Sequence, residues 1–325
     1  MNLGILMDPG LVAAIQNISP PVTAVFTQGE FLDSMPWYLL LISVLTLGLH
    51  PRYGVRLATL FGLTSGLNEA LKLACHLPRP YWVSEAVTGY SSHSSFGFPS
   101  GAAMTGAAMY GYIAFVIRRW WVVLVCTVLF LATSFARIFA GIHFALDILG
   151  GWILGFLLLA IFLLAMPRAE AYAARISCPA RIALFIAVAA VPTLLVIPAY
   201  HSLAGWQLPE AWAALALQQT GTAINPVRIQ YAYGASGIIF GSLMGYEFLR
   251  SRGGWSPPSD LKQRAMIMVL GTISVLLVNA GIPVAWKVLG LTAVVPQLAM
   301  FLSMAGVTFW LMACVPFFAK KAGFG

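Results

Sequence analysis

Apolar residues run along this chain in long blocks, each roughly the 17–25 positions that a helix needs to cross a bilayer, and polar residues gather at the joints. The blocks predict about nine spans, near residues 36–50, 55–75, 100–117, 120–139, 144–166, 181–200, 231–249, 265–284 and 288–317. The first is short and starts between Phe31 and residue 36; the last is long enough to tilt or break near Pro296. Residues 1–35 read as an amphipathic or irregular lead-in, and 201–228 as a loop carrying a surface helix around "PEAWAALALQQ". The expected fold is all-α, a polytopic membrane helix bundle with about nine transmembrane helices. Loops lengthen and polar clusters thin out after about residue 200, which suggests a boundary between 1–200 and 201–325.

Composition agrees with that pattern. Of 325 residues, 60% are apolar and only 9% charged, too few charges for a soluble domain of this size. The first basic residue is Arg52, so no signal peptide is expected. Cysteines 75, 126, 178 and 314 are scattered, which predicts neither a disulfide framework nor a zinc site. If successive helices alternate in direction, 13 of the 18 basic residues fall on one side, which should be cytoplasmic, with the N-terminus outside. The net charge of +8 is mostly this bias and is no nucleic-acid footprint, because no soluble segment carries a basic stripe interleaved with aromatics. The ten acidic residues nowhere cluster as two-metal ligands, so neither a metal nor a cofactor is expected.

The five external cations, Lys72, Arg79, Arg137, Arg228 and Lys287, are the informative set. Arg228 and Lys287 read as interfacial anchors. Lys72, Arg79 and Arg137 instead stand at helix ends together with "FPSG" at 98–101, His143 and Asp147. Charge at that depth is costly and usually functional. Three cations beside a helix N-terminus, whose first N–H groups are unpaired and whose dipole is positive, suit a tetrahedral oxyanion. Gly101 leaves room for close approach and Ser100 offers a hydroxyl. His143 and Asp147 are four residues apart, on one helix face, where the carboxylate can orient the imidazole for nucleophilic work. Glu69 is the expected ion-pair partner of Lys72, and Glu247 that of Arg250 at the cytoplasmic rim; His50, His76 and His201 read as interfacial.

These residues resemble the type 2 phosphatidic acid phosphatase superfamily, whose signatures are K-x6-RP, PSGH and SR-x5-H-x3-D. Here Lys72, Arg79 and Pro80 complete the first; the second reads Pro99-Ser100-Gly101-Ala102; the third reads Ala136-Arg137, then His143 and Asp147. The resemblance implies a six-helix catalytic core within residues 1–200, followed by three additional membrane helices over 201–325. It implies that His143 attacks phosphorus to form a phosphohistidine, that Asp147 holds its other ring nitrogen, and that Lys72, Arg79, Arg137, Ser100 and Gly101 cradle the phosphoryl oxygens. "RPYW" at 79–82 and the extra helices are also similar to glucose-6-phosphatases and some sphingolipid-phosphate phosphatases.

Two positions depart from the signatures. Ala136 stands for a serine, which removes at most one phosphate donor. Ala102 stands where the superfamily places the histidine that protonates the leaving oxygen, and alanine can neither give nor take a proton. The chain as written is therefore expected to be nearly inactive. An introduced substitution accounts for this better than natural loss, which would leave little reason to keep three cations, His143 and Asp147. His93 is nine residues from position 102, too far along the chain to be expected as a stand-in. The expected activity is a metal-independent phosphate monoester hydrolysis at the outer face, in a bacterial inner membrane. A lipid phosphate is preferred as substrate, because a tail can stay among membrane lipids while its headgroup reaches the cations. A sugar phosphate is the alternative, for which the polar loop 84–95 is the natural lining. A transporter or non-catalytic binder of phosphorylated lipid would use the same cations but gives no reason for the His–Asp pair.

Overall fold

The structure is a computed structural model that describes residues 3–18, 26, 28–288, 290 and 296–324. Among the described residues the chain is helical and has no strand. The elements are α1 (Pro9–Asn17), α2 (Met35–Leu49), α3 (Pro51–Cys75), α4 (Pro80–Val83), α5 (Gly101–Ile117), α6 (Trp120–Phe139), α7 (Ala145–Arg175), α8 (Cys178–His201), α9 (Glu210–Thr220), α10 (Gln230–Ser251), α11 (Leu261–Val288) and α12 (Pro296–Lys321). Short 3-10 turns cover Leu3–Met7 and Gln28–Asp33.

Five of these helices, α6, α7, α8, α11 and α12, are long and apolar enough to cross a membrane. The others that match predicted spans fall short for identifiable reasons. α2 and α5 are apolar but shorter. α3 and α10 are 25 and 22 residues long, but α3 carries Arg52, Arg56, Glu69 and Lys72, and α10 is diluted by glycines and ends in Glu247 and Arg250. The predicted surface helix is α9. The last predicted span opens at Pro296 rather than 288; residues 289 and 291–295, just before it, lie outside the described residues.

The chain divides into two compact units. One comprises residues 1–33, 67–161 and 195–229. Its centre is the approach of α7 to the start of α5. A Cβ on Gly151 would lie 2.9 Å from the Ser100 carbonyl oxygen, and one on Gly155 would lie 2.4 Å from that of Met104. Only glycine permits backbones to come so near. Trp152 donates to the Ser134 hydroxyl and fixes α6 beside them. Gln16 ties α1 to the Thr88 and Phe139 carbonyls.

The other unit comprises residues 34–66, 162–194 and 230–325. Here α10 presents Gly237, Gly241 and Gly245 at four-residue spacing to α12, and a Cβ on Gly241 would sit 2.1 Å from the Ala305 carbonyl oxygen. Small residues on one stripe let membrane helices gain dispersion contacts that lipid would otherwise supply. Thr308 adds a hydrogen bond to the Ile238 carbonyl across the same seam.

Candidate active site

All of the site lies within the first unit. Lys72 is in the last turn of α3, Arg79 precedes α4, Ser100 precedes α5, Arg137 is in the last turn of α6, and Asp147 is in the first turn of α7. The turn between α6 and α7 is closed by the Arg137 carbonyl, which accepts from the Ile142 and His143 amides. That turn delivers His143 to the same place as the helix ends.

The His–Asp pair has the geometry its spacing predicts. His143 Nδ1 is 3.1 Å from Asp147 Oδ2, which also accepts from the Phe144 amide at 2.9 Å. The Asp147 carbonyl takes the Ser100 amide at 3.0 Å and so anchors the start of α5 to the start of α7. Gly97 lies against the carboxylate, with a Cβ there 3.2 Å from Oδ2. His143 Nε2 faces Arg79, 3.2 Å from its NH1. Which nitrogen carries the proton follows from the partners: a carboxylate at Nδ1 places it there and leaves the Nε2 lone pair toward the guanidinium.

Arg79 is immobilised by acceptors on three sides, with Nε donating to the Ser95 carbonyl, NH1 to that of Ile142, and NH2 to the Ser95 hydroxyl and Phe96 carbonyl. Lys72 does not pair with Glu69 as expected. Its ammonium donates to the Phe96 carbonyl instead, within a segment that Gly97 N closes onto Leu77. Lys72, Arg79, Arg137, His143 and Asp147 are all buried. Burial first, then the neighbouring Arg79 and Lys72 charges, hold the His143 imidazole well below its ordinary pKa, which keeps the ring neutral.

The structure adds residues that the sequence reading did not include. Arg137 sits 3.7 Å from Glu30 and 3.4 Å from Asp33, both in the lead-in turn. Glu30 also meets His93 Nε2 at 3.4 Å. His93 is thus next to the Arg137 end of the site despite its distance in sequence. Asn68 donates to the Pro99 carbonyl, and its Oδ1 would be 3.2 Å from a Cβ on Gly101. Ala102 is buried one residue into α5. Among the described residues, the buried Ser100 hydroxyl and Asp147 Oδ1 have no hydrogen-bond partner. The Ser100 hydroxyl, open at the start of a helix, is a donor from which an anion can accept.

Residues 53–171 match the PAP2 superfamily, and residues 233–325 match the PAP2 superfamily phosphatase, transmembrane extension. Phosphatidylglycerophosphatase B of Bacillus subtilis (strain 168) is 31% identical over 114 residues, 32% of this chain and 54% of that protein. The chain thus spans about half the length of that curated relative. No solved structure matches.

Proposed function

We propose that this chain, a member of the PAP2 superfamily, is a membrane-embedded phosphate monoester hydrolase whose proton-donating position is occupied by alanine. The observation that carries the proposal is the His143 ring, held by Asp147 on one nitrogen and directed at Arg79 by the other. In the reaction, Nε2 attacks phosphorus and the P–O ester bond breaks, with its electron pair leaving on the substrate oxygen. Lys72, Arg79 and Arg137 balance the oxyanion charge, and the Ser100 hydroxyl and Gly101 amide add donors at the start of α5. Water then attacks the phosphohistidine and restores the ring.

Ala102 interrupts both steps at the proton. An alkoxide must leave unprotonated, and no base stands at that position to activate water. Positioned acid–base groups are worth about 10²–10⁴ in rate, so turnover of alkyl phosphates falls by about that factor. Residues 1–200 form the phosphatase core in this reading, and 201–325 the three additional helices. In this reading the core's site faces the periplasm of a bacterial inner membrane, its sidedness following from the basic-residue bias.

A lipid phosphate is the favoured substrate class. The relative's name is that of a lipid phosphate phosphatase, and a tail kept within the bilayer saves about 0.8 kcal/mol per CH₂. The sugar alternative would draw on loop 84–95. Part of that loop is already engaged inward, with Ser95 bound to Arg79 and the His93 backbone to the Tyr81 hydroxyl.

The test is the Ala102→His variant, assayed for phosphate release across lipid and sugar phosphates. We expect release from lipid phosphates, insensitive to EDTA and inhibited by vanadate. Faster hydrolysis of glucose 6-phosphate than of any lipid phosphate overturns the substrate class. A metal-dependent activity overturns the mechanism.

A further inference from the structure

A second charged cleft lies in the other unit, lined by the ends of α3, α7, α8 and α10. Its volume is about 540 Å³. Two ion clusters frame it. Glu170 is shared by Arg52 and Arg56, and Glu247 is shared by Arg181 and Arg250. Four guanidinium groups against two carboxylates leave a surplus of two positive charges. Arg52 and Arg250 are about half exposed at the rim, whereas Arg181 is held deeper, with its buried Nε lacking an acceptor among the described residues. Such a surplus beside an open cleft is complementary to an anion.

The floor of the cleft has a different character. It continues into an apolar groove of about 250 Å³ between α3, α7 and α8, walled by Leu63, Phe162, Ala165, Leu184 and Val188. Met166, Phe185 and Leu243 line both spaces, so the two adjoin. α7 explains the sequence of environments. Its 31 residues extend about 46 Å, half as long again as a hydrocarbon core of about 30 Å. Its stretch around Phe162 falls inside that thickness when counted from Ala145, and Glu170 falls roughly 8 Å beyond it, at headgroup depth. A cationic mouth at headgroup depth, opening onto an apolar channel at acyl depth, has the shape of one amphiphile.

We propose that this cleft binds an anionic phospholipid of the cytoplasmic leaflet, with its phosphate on Arg52, Arg181 and Arg250 and an acyl chain in the groove beside Phe162 and Val188. The site shares no residue with the phosphoryl-transfer set and holds its lipid without chemistry, since no His–Asp pair is among its described lining residues. Free phosphate or glycerol phosphate would meet the same arginines but gain nothing from the groove. The occupant is therefore a lipid.

The test uses the full-length protein in vesicles of phosphatidylcholine doped with a phosphatidylglycerol bearing a diazirine on its acyl chain. After photolysis, mass spectrometry should locate adducts in residues 162–188. Arg181→Gln with Arg250→Gln should lower labelling by about tenfold or more, each arginine near the surface adding appreciably to anionic-lipid affinity. Val188→Trp, which fills the groove and leaves every charge in place, should lower it comparably and decides the matter if the arginine variant does not fold. Adducts at 162–188 should persist in a Lys72→Gln variant, which separates this site from the phosphatase reading. Equal labelling by a diazirine phosphatidylcholine, or labelling unchanged by Val188→Trp, overturns the proposal. So does full competition by glycerol phosphate.

Discussion

Arg79 NH1 stands 3.2 Å from His143 Nε2, while the opposite ring nitrogen is 3.1 Å from Asp147 Oδ2. The two partners act on the ring in opposite senses. The carboxylate draws a proton onto Nδ1, and the guanidinium favours a lone pair on Nε2. The ring is thereby poised as a nucleophile facing a fixed cation, where a phosphoryl group would place its negative oxygens.

That arrangement sets the acid limb of the rate profile. Burial and the adjacent cations keep His143 below its ordinary value of 6.5, so the ring stays neutral as pH falls through the usual imidazole range. Activity should be lost only below pH 6.5, when the folded protein finally takes up that proton. In the Ala102→His variant with an aryl phosphate, kcat/KM should show its lower limb there, and Arg79→Met should move the limb upward. A limb above 6.5 in the parent refutes the assignment.

Glu30 and Asp33 occupy Arg137 while no substrate is present, and their carboxylates compete with an incoming phosphoryl group. Glu30→Gln with Asp33→Asn should tighten vanadate inhibition a few-fold, because two carboxylates no longer compete for the buried Arg137 guanidinium. Acid stability should change too. The His93 hydrogen bond holds the Glu30 pKa down to about 2 from 4.5, so its contribution is present above 4.5 and disappears as pH falls toward 2. Thermal unfolding in detergent between those values should be less pH-dependent in Glu30→Gln.

Gly155 allows α7 to lie against the Met104 carbonyl oxygen, 2.4 Å from where a Cβ would be. Both groups are backbone, so Gly155→Ala must push the helices apart. A cost of about 1–3 kcal/mol is expected from such overpacking. The displacement carries Ser100 and Gly101 away from His143, so phosphate release by Ala102→His should fall beyond what lost protein accounts for. Unchanged specific activity would show that the start of α5 does not depend on this contact.

The candidate site was legible where chemistry imposes order on the chain. Lys72, Arg79, Arg137, His143 and Asp147 stand at helix ends with fixed intervals, and the structure gathers them in one unit. Glu30 and Asp33 left no such mark, because their partner is more than a hundred residues away and their own turn has no periodicity. Lys72 misled for the opposite reason. Glu69 is three residues away, a natural helical pair, yet the Phe96 carbonyl brought in by the loop takes the ammonium. In the helices, hydropathy was diluted where α10 needs Gly237, Gly241 and Gly245 for contact with α12, and more so in α3, which carries Arg52, Arg56, Glu69 and Lys72. The polar and small residues that weaken an apolar run are here the ones that pack helices or face the candidate chemistry.

Membrane sidedness is open to a direct measurement. Tyr90 is 53% exposed in the loop beside the site, and the native Cys178 is exposed at the start of α8. The bias of basic residues predicts position 90 outside and position 178 inside. In intact cells, an impermeant maleimide should label a Tyr90→Cys variant at that residue, and should reach Cys178 only after permeabilisation. Labelling of position 90 from the cytoplasmic side alone reverses the topology.

The alanine at position 102 makes a sharper prediction, because a missing acid matters only to leaving groups that need a proton. Alkyl phosphates expel a strongly basic alkoxide and should stall at the first step. A p-nitrophenyl phosphate expels a phenolate that leaves unprotonated near neutral pH, so His143 can displace it unaided. The second step still lacks a base to activate water, and the phosphoryl group should remain on the ring. Mixing the chain as written with p-nitrophenyl phosphate should therefore release about one nitrophenolate per protein in a burst, followed by turnover slower by about 10²–10⁴. Intact-protein mass should show one phosphoryl group, acid-labile and mapping to His143. Asp147→Asn should slow the burst, because the ring loses the group that orients it. Ala102→His should abolish the accumulation and restore turnover, with the larger gain on alkyl phosphates. Equal rates on alkyl and aryl phosphates with no burst would show that position 102 is not where the proton is supplied.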